Sequence, residues 1–131
     1  MLRFTRPLRH LLKTTTGIHG LPVHPNPLPE LLKTYESTLS ALSSIPQTSV
    51  YRQGVEALVR HKINIVKGAN GDIAAAEKQL NEGQIEESLD IAADELSLAA
   101  KIVEWKAWEP LEEKPEPGQW EYTGQTTSAS S

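Results

Sequence analysis

Apolar residues recur at helical spacing from Ile85 to Val103, through Leu89, Ala92, Ala93, Leu96, Ala99 and Ala100. At about 100° per residue they share one sector of a helix face. The stretch from Gly83 to Pro110 therefore reads as one long helix, with glycine closing what precedes it and proline stopping it. Glu86, Glu87, Asp90 and Asp94 fall outside the apolar sector and mostly in the first half, where carboxylates suit the positive end of the helix dipole. Together with Glu95 they read as a solvated acidic face. A second, thinner apolar line of Ile91, Leu98, Ile102 and Trp105 projects on nearly the opposite side, where a surface helix is ordinarily polar. This predicts a helix covered twice, once by its own bundle and once by the chain's tail or another protein.

Three further helices follow from the same patterning. Leu28, Leu31, Leu32, Tyr35, Leu39 and Leu42 form a narrow seam over about 29–43, suited to packing along another helix. Tyr51, Val55, Leu58, Val59, Ile65 and Val66 mark a second helix from about 47–49 to 67, with Arg52, Arg60, His61, Lys62 and Lys67 outside and a Glu56–Arg60 pair at four-residue spacing. Asp72 is placed to cap a short third helix over 73–80, with Ile73, Ala76 and Leu80 inward. Between residues 17 and 29, two glycines and four prolines predict an extended arm rather than a regular helix. The expected organisation is a basic segment over 1–16, a Pro/Gly-rich arm over 17–29, an all-α bundle over 30–109 of three longer helices and one short one, and a Pro-rich, then polar tail over 110–131.

Charge sharpens this division. The first 29 residues carry Arg3, Arg6, Arg9 and Lys13 and no acid, and the remainder is strongly acidic within a net charge of −4. An acidic folded part argues against nucleic acid as a partner. Leu8, Leu11 and Leu12 alternate with Arg6, Arg9 and Lys13 in the manner of a mitochondrial targeting segment, the other reading being a plain basic arm. No apolar run approaches the roughly 20 residues needed to span a bilayer. With no cysteine, disulfides, thiolate catalysis and cysteine-ligated metals are excluded.

The residues that could carry chemistry do not assemble into a site. His19 and His24 lack a third ligand and a rigid frame. His61 lies on a predicted helix, as in histidine phosphotransfer domains, but Asn64 and Ile65 stand where that motif has Lys and Gly. The Gly68–Gly71 turn is not followed by Lys-Ser/Thr, so it is not a phosphate-binding loop. No catalytic residue, cofactor site or metal site is expected. The informative residues are Trp105, Trp108 and Trp120, each able to bury on the order of 150–250 Å². Trp105 and Trp108, three apart, are expected as neighbours on the helix. The tryptophans either seal the bundle end or anchor a partner.

Five stretches together resemble the alpha subcomplex subunit 5 family of mitochondrial NADH:ubiquinone oxidoreductase, respiratory complex I. They are KTTTGIHGLPV (Lys13 to Val23), IPQTSVYR (Ile45 to Arg52), QLNEGQIEES (Gln79 to Ser88), ELSLAAKIVEWKAWEPLEEKP (Glu95 to Pro115) and GQW (Gly118 to Trp120). EWKAWEPL, from Glu104, is the most specific part, and the likeness covers roughly 13–122. The resemblance implies a non-catalytic accessory subunit without flavin, iron–sulfur cluster or quinone. It would sit peripherally on the matrix side of the inner membrane, on the matrix arm beside core subunits of the ubiquinone module. There it would stabilise and help assemble that arm. Ile91, Leu98, Ile102 and Trp105 are the expected partner contacts, with Trp108 and Trp120 beside them. The competing readings are a free matrix adaptor or assembly chaperone, and a phosphotransfer domain using His61.

Overall fold

A computed structural model describes residues 13–119. Among them the regular elements are four helices: α1 (Pro27–Leu42), α2 (Val50–Gly68), α3 (Ile73–Leu80) and α4 (Ile85–Trp105). The expected all-α bundle of three longer helices and one short one is the fold observed.

Helix α1 begins at Pro27, inside the stretch expected to be an extended arm. The reason is local. Pro27 and Pro29 fall in the first turn, where backbone N–H groups have no helical acceptor and the missing donor costs nothing. Helix α3 has the predicted bounds, and the Asp72 carboxylate accepts the Ala75 N–H at 3.3 Å. Gly83 holds φ at +90°, and a Cβ there would lie 2.2 Å from Glu87 Oε2. That same oxygen accepts the Gln84 N–H at 2.7 Å and fixes the first turn of α4. The backbone angle favours glycine, and a Cβ would in addition displace the Glu87 carboxylate from its capping bond.

Helix α4 stops at Trp105, five residues before Pro110. Lys106 turns left-handed at φ 51°, the Ala107 N–H donates to Ile102 O at 3.3 Å, and the Lys106 N–H to Val103 O at 3.4 Å. This is a Schellman closure built on lysine instead of glycine. Trp108 is consequently off the helix and not stacked one turn above Trp105. It folds back against a C-terminal cluster centred on Leu42, Ile45 and Ala99.

Two hydrophobic clusters show how the helices run. Leu28, Leu31 and Tyr35 of α1 share one with Ile85 and Ala92 of α4, while Leu42 shares the other with Ala99. Helices α1 and α4 therefore lie parallel, and α2 runs antiparallel to both. The most extensive backbone packing is between α1 and α4. It is made possible by the small buried side chains Ser88, Ala92 and Ala99 of α4. The buried seam is narrower than the predicted sector: Ala93 and Ala100 are exposed, and Ser88, spaced with Ile85, Ala92 and Ala99, is buried in their place. In α1, Thr38 joins the core by donating its hydroxyl to Thr34 O at 2.9 Å, so its polar group is satisfied within its own helix.

Helices α2 and α4 stand further apart, and long side chains span the gap. Tyr51 Oη donates to Glu95 Oε1 at 2.7 Å across it, while Lys62 Nζ donates to Glu82 Oε1 in the turn between α3 and α4. Arg52 also turns inward, to the Ile45 carbonyl and, at 3.3 Å, to Glu56. The expected basic outer surface of α2 thus loses Arg52 and Lys62, both half-buried. Glu56 bonds Arg52 and Arg60 together, the second being the pair the spacing predicted.

Candidate interaction surface

Ile91, Leu98 and Trp105 are seven residues apart in sequence and 44%, 42% and 62% exposed. Seven residues are nearly two helical turns, so the three align in a row about 21 Å long on α4. The row does not lie opposite the core. At about 100° per residue it is offset by roughly 110° from the Ile85–Ala92–Ala99 seam, on the flank of α4 that faces α2. Ile102 does not belong to the exposed row in full: it is half-buried and packs into the cluster of Leu42, Ile45 and Ala99. It sits at the row's inner margin, joining core to surface. Of the remaining expected contact residues, Trp108 is half-buried against that same cluster, and Trp120 lies outside the described residues.

Asp90 and Asp94 border the outer side of the row and are exposed, as expected for a solvated acidic face. Lys101 pairs with Glu104 at 3.0 Å on the same side. Glu95 departs from that expectation, being half-buried and accepting the Tyr51 hydroxyl, and Glu86 departs from it altogether. It is 3% exposed, covered by the N-terminal arm. Lys13 Nζ donates to Glu86 Oε2 at 2.5 Å and to Gln84 Oε1 at 2.8 Å. Gln84 Nε2 donates to Thr16 O at 2.7 Å, and the His24 N–H reaches Glu86 Oε1 at 3.4 Å. Thr16 is buried and donates its hydroxyl to Leu21 O at 2.5 Å, folding the arm into a compact turn. Burial pushes the Glu86 carboxyl upward, but the Lys13 ammonium and the backbone N–H donors outweigh it and hold the group below the usual carboxylate range. The Tyr51 phenol is pushed up by burial and by its bond to Glu95, so it remains a neutral donor across the α2–α4 gap.

Beneath the arm is a cavity of about 300 Å³, lined by Lys13, His24, Ile73, Glu77 and Glu86 among others. Its charged groups are already engaged. Glu86 holds Lys13, and Glu77 Oε1 accepts the Ile85 N–H at 3.0 Å. These residues fasten the arm to the start of α4. The sequence carries no local signal for this clasp, because its members are 62–73 positions apart. Yet two of the stretches that carry the family resemblance, KTTTGIHGLPV and QLNEGQIEES, are the two that meet here.

His19 and His61 are exposed and His24 is half-buried. Among the described residues no three His, Asp or Glu side chains converge in a way that could hold a metal ion. Nor is any described helix long and apolar enough to cross a membrane. What the described surface offers is an apolar row on a helix flank, bordered by carboxylates.

Comparison with known proteins agrees with the resemblance read from the five stretches. The family described as "ETC complex I subunit conserved region" matches residues 20–87. A protein of Bos taurus named NADH dehydrogenase [ubiquinone] 1 alpha subcomplex subunit 5 is 43% identical over 112 residues, covering 86% of this chain and 96% of its own length. A Candida albicans protein named NADH dehydrogenase [ubiquinone] 1 alpha subcomplex subunit MCI4 is 46% identical over 110 residues, covering 83% of this chain and 78% of its own. An Arabidopsis thaliana relative, named as a probable mitochondrial alpha subcomplex subunit 5, is 41% identical over 103 residues, covering 79% and 60% respectively.

Proposed function

The chain belongs to the alpha subcomplex subunit 5 family of NADH dehydrogenase [ubiquinone], and from that premise we propose how it serves the complex. It is a non-catalytic accessory subunit of mitochondrial complex I. It sits on the matrix side of the inner membrane, beside core subunits of the ubiquinone module, and it stabilises the peripheral arm and helps to assemble it. It supports electron transfer from NADH to ubiquinone through the integrity of that arm, not by handling electrons. The contact is made by burying the α4 row of Ile91, Leu98 and Trp105, with Ile102 at its margin, against another subunit. Charge around the row sets the orientation.

The observation that carries this reading is the row itself. Three large apolar side chains aligned over about 21 Å of one helix are a surface that water disfavours and a partner covers. Trp105 is the natural anchor, since tryptophan concentrates binding energy where it is desolvated.

The test is Leu98→Asp. Leu98 is 42% exposed and outside both hydrophobic clusters, so the isolated variant keeps its helical circular dichroism. In mildly solubilised mitochondrial membranes the wild-type chain is expected to comigrate with intact complex I on native gels, and Leu98→Asp to be released. If Leu98→Asp stays with the complex as well as wild type, the row is not the contact. If the wild-type chain runs in small complexes only, it is a free adaptor or chaperone.

A further inference from the structure

We infer that the surface covering the α4 row is a single α-helix of another subunit, apolar along one seam and flanked by lysine or arginine at the end that meets Ile91. This rests on the reading of the chain as a subunit and names the chemistry of the element it meets.

The spacing selects a helix. Row members recur about every 10.5 Å along α4. A neighbouring helix presents side chains at the same period and can set them between Ile91, Leu98 and Trp105 as knobs into holes. A strand repeats on one face about every 6.6–6.8 Å and falls out of step within two contacts. Ile102 strengthens this: Leu98, Ile102 and Trp105 are spaced four and then three, the alternation of a helix–helix seam. Helix α2 supplies the other wall. Leu58 is 51% exposed and lies seven residues from Tyr51, hence on the same side of α2, the side from which Tyr51 reaches Glu95. Because α2 runs antiparallel to α4, Leu58 lies toward the Ile91 end. A helix laid here rests between α2 and α4 and makes the bundle four long helices instead of three.

The charge selects the flanks. Asp90 and Asp94 border the Ile91 half of the row, and among the described residues neither takes part in an ion pair. Glu87 is occupied in capping Gln84. At the Trp105 end the signs are mixed, with Lys101 already matched by Glu104 and Lys106 close by. A partner basic along its whole length gains nothing at that end, whereas one basic opposite Asp90 and Asp94 is matched.

The experiment places the photo-crosslinker p-benzoylphenylalanine at position 98 in the subunit within assembled complex I and identifies the linked peptide by mass spectrometry. The expected product joins position 98 to a helical segment of another subunit that carries Lys or Arg beside an apolar heptad seam. A link to a strand or loop, to an acidic segment, to a second copy, or to residues 1–12 or 120–131 of this chain overturns the inference. So does the absence of any link while the chain still comigrates with the complex, and in both cases the subunit reading stands. A second variant, Asp90→Lys with Asp94→Lys, tests the charge. At fixed salt it is expected to reduce retention of the subunit by about tenfold or more, and unchanged retention removes the basic partner. A wild-type chain running free of the complex ends the subunit reading and this inference with it.

Discussion

Glu86 is a buried carboxylate whose charge is stabilised by a residue 73 positions away. Its folded pKa lies below the ordinary carboxylate value, so the native state favours the ionised form. The sign then follows. Above the unfolded pKa the full contribution to stability is present, and as pH falls through the folded pKa the proton is taken up and the contribution is lost. The arm is expected to loosen on acidification below about pH 4, the unperturbed range of a glutamate. Amide hydrogen exchange or limited proteolysis across residues 14–20 reads this directly. Lys13→Met leaves the carboxylate buried without its cation and is expected to cost about 1–3 kcal/mol, less than the roughly 3–5 kcal/mol of a fully buried pair because Lys13 is partly exposed. In that variant the arm should already be open to protease at neutral pH. None of this is legible along the chain. Glu86 and Glu87 are adjacent acids in the same first turn of α4, and only the return of the arm distinguishes a buried anion from a helix cap. Periodicity places Glu86 among the solvated carboxylates for a physical reason: it describes how a helix meets other helices and is blind to an irregular segment lying across its first turn.

At the scale of elements, the sequence is informative where termination is written in side-chain chemistry. Helix α3 follows its prediction because Asp72 caps its start and Asn81, a residue that tolerates the left-handed conformation, closes its end at φ 54°. Helix α1 starts early because proline in a first turn is permitted, and α4 stops early because its closure uses Lys106, which carries no turn signature. That lysine holds a left-handed conformation with φ 51°, which costs an L-residue with a Cβ roughly 1–2 kcal/mol. Lys106→Gly is therefore expected to stabilise the protein by about 0.5–1 kcal/mol after the entropy that glycine adds to the unfolded chain. Thermal denaturation checks this, and a fall in stability would mean that the Lys106 side chain holds the helix end by contacts of its own. The same closure explains the tryptophans. On a continued helix, Trp105 and Trp108 would stack one turn apart. With the helix ended between them, Trp108 covers the Leu42–Ile45–Ala99 cluster while Trp105 stays at 62% exposure. The two roles weighed from sequence, sealing the bundle and facing outward, are thus divided between neighbouring rings.

At the scale of the molecule, α4 has two jobs on two faces, and adjacent residues separate them. Ala99 is fully buried in the cluster it shares with Leu42 of α1 and Ile45, and Leu98 is 42% exposed beside it. Ala99→Leu inserts three carbons where there is no room and is expected to cost about 1–3 kcal/mol, lowering the melting temperature by roughly 3–10 °C for a chain of this size. Leu98→Asp should leave the melting temperature nearly unchanged and abolish retention in the complex. Because free and bound forms are linked by mass action, a partner stabilises only what it binds. Ala99→Leu, its row intact, should therefore recover stability when incorporated, whereas Leu98→Asp should gain none. Thermal profiling of each variant, isolated and in solubilised complex, distinguishes the two. If Ala99→Leu is tolerated and Leu98→Asp unfolds the isolated chain, the buried seam and the docking row have been exchanged, and the long helix meets its partner with the face assigned to its own core.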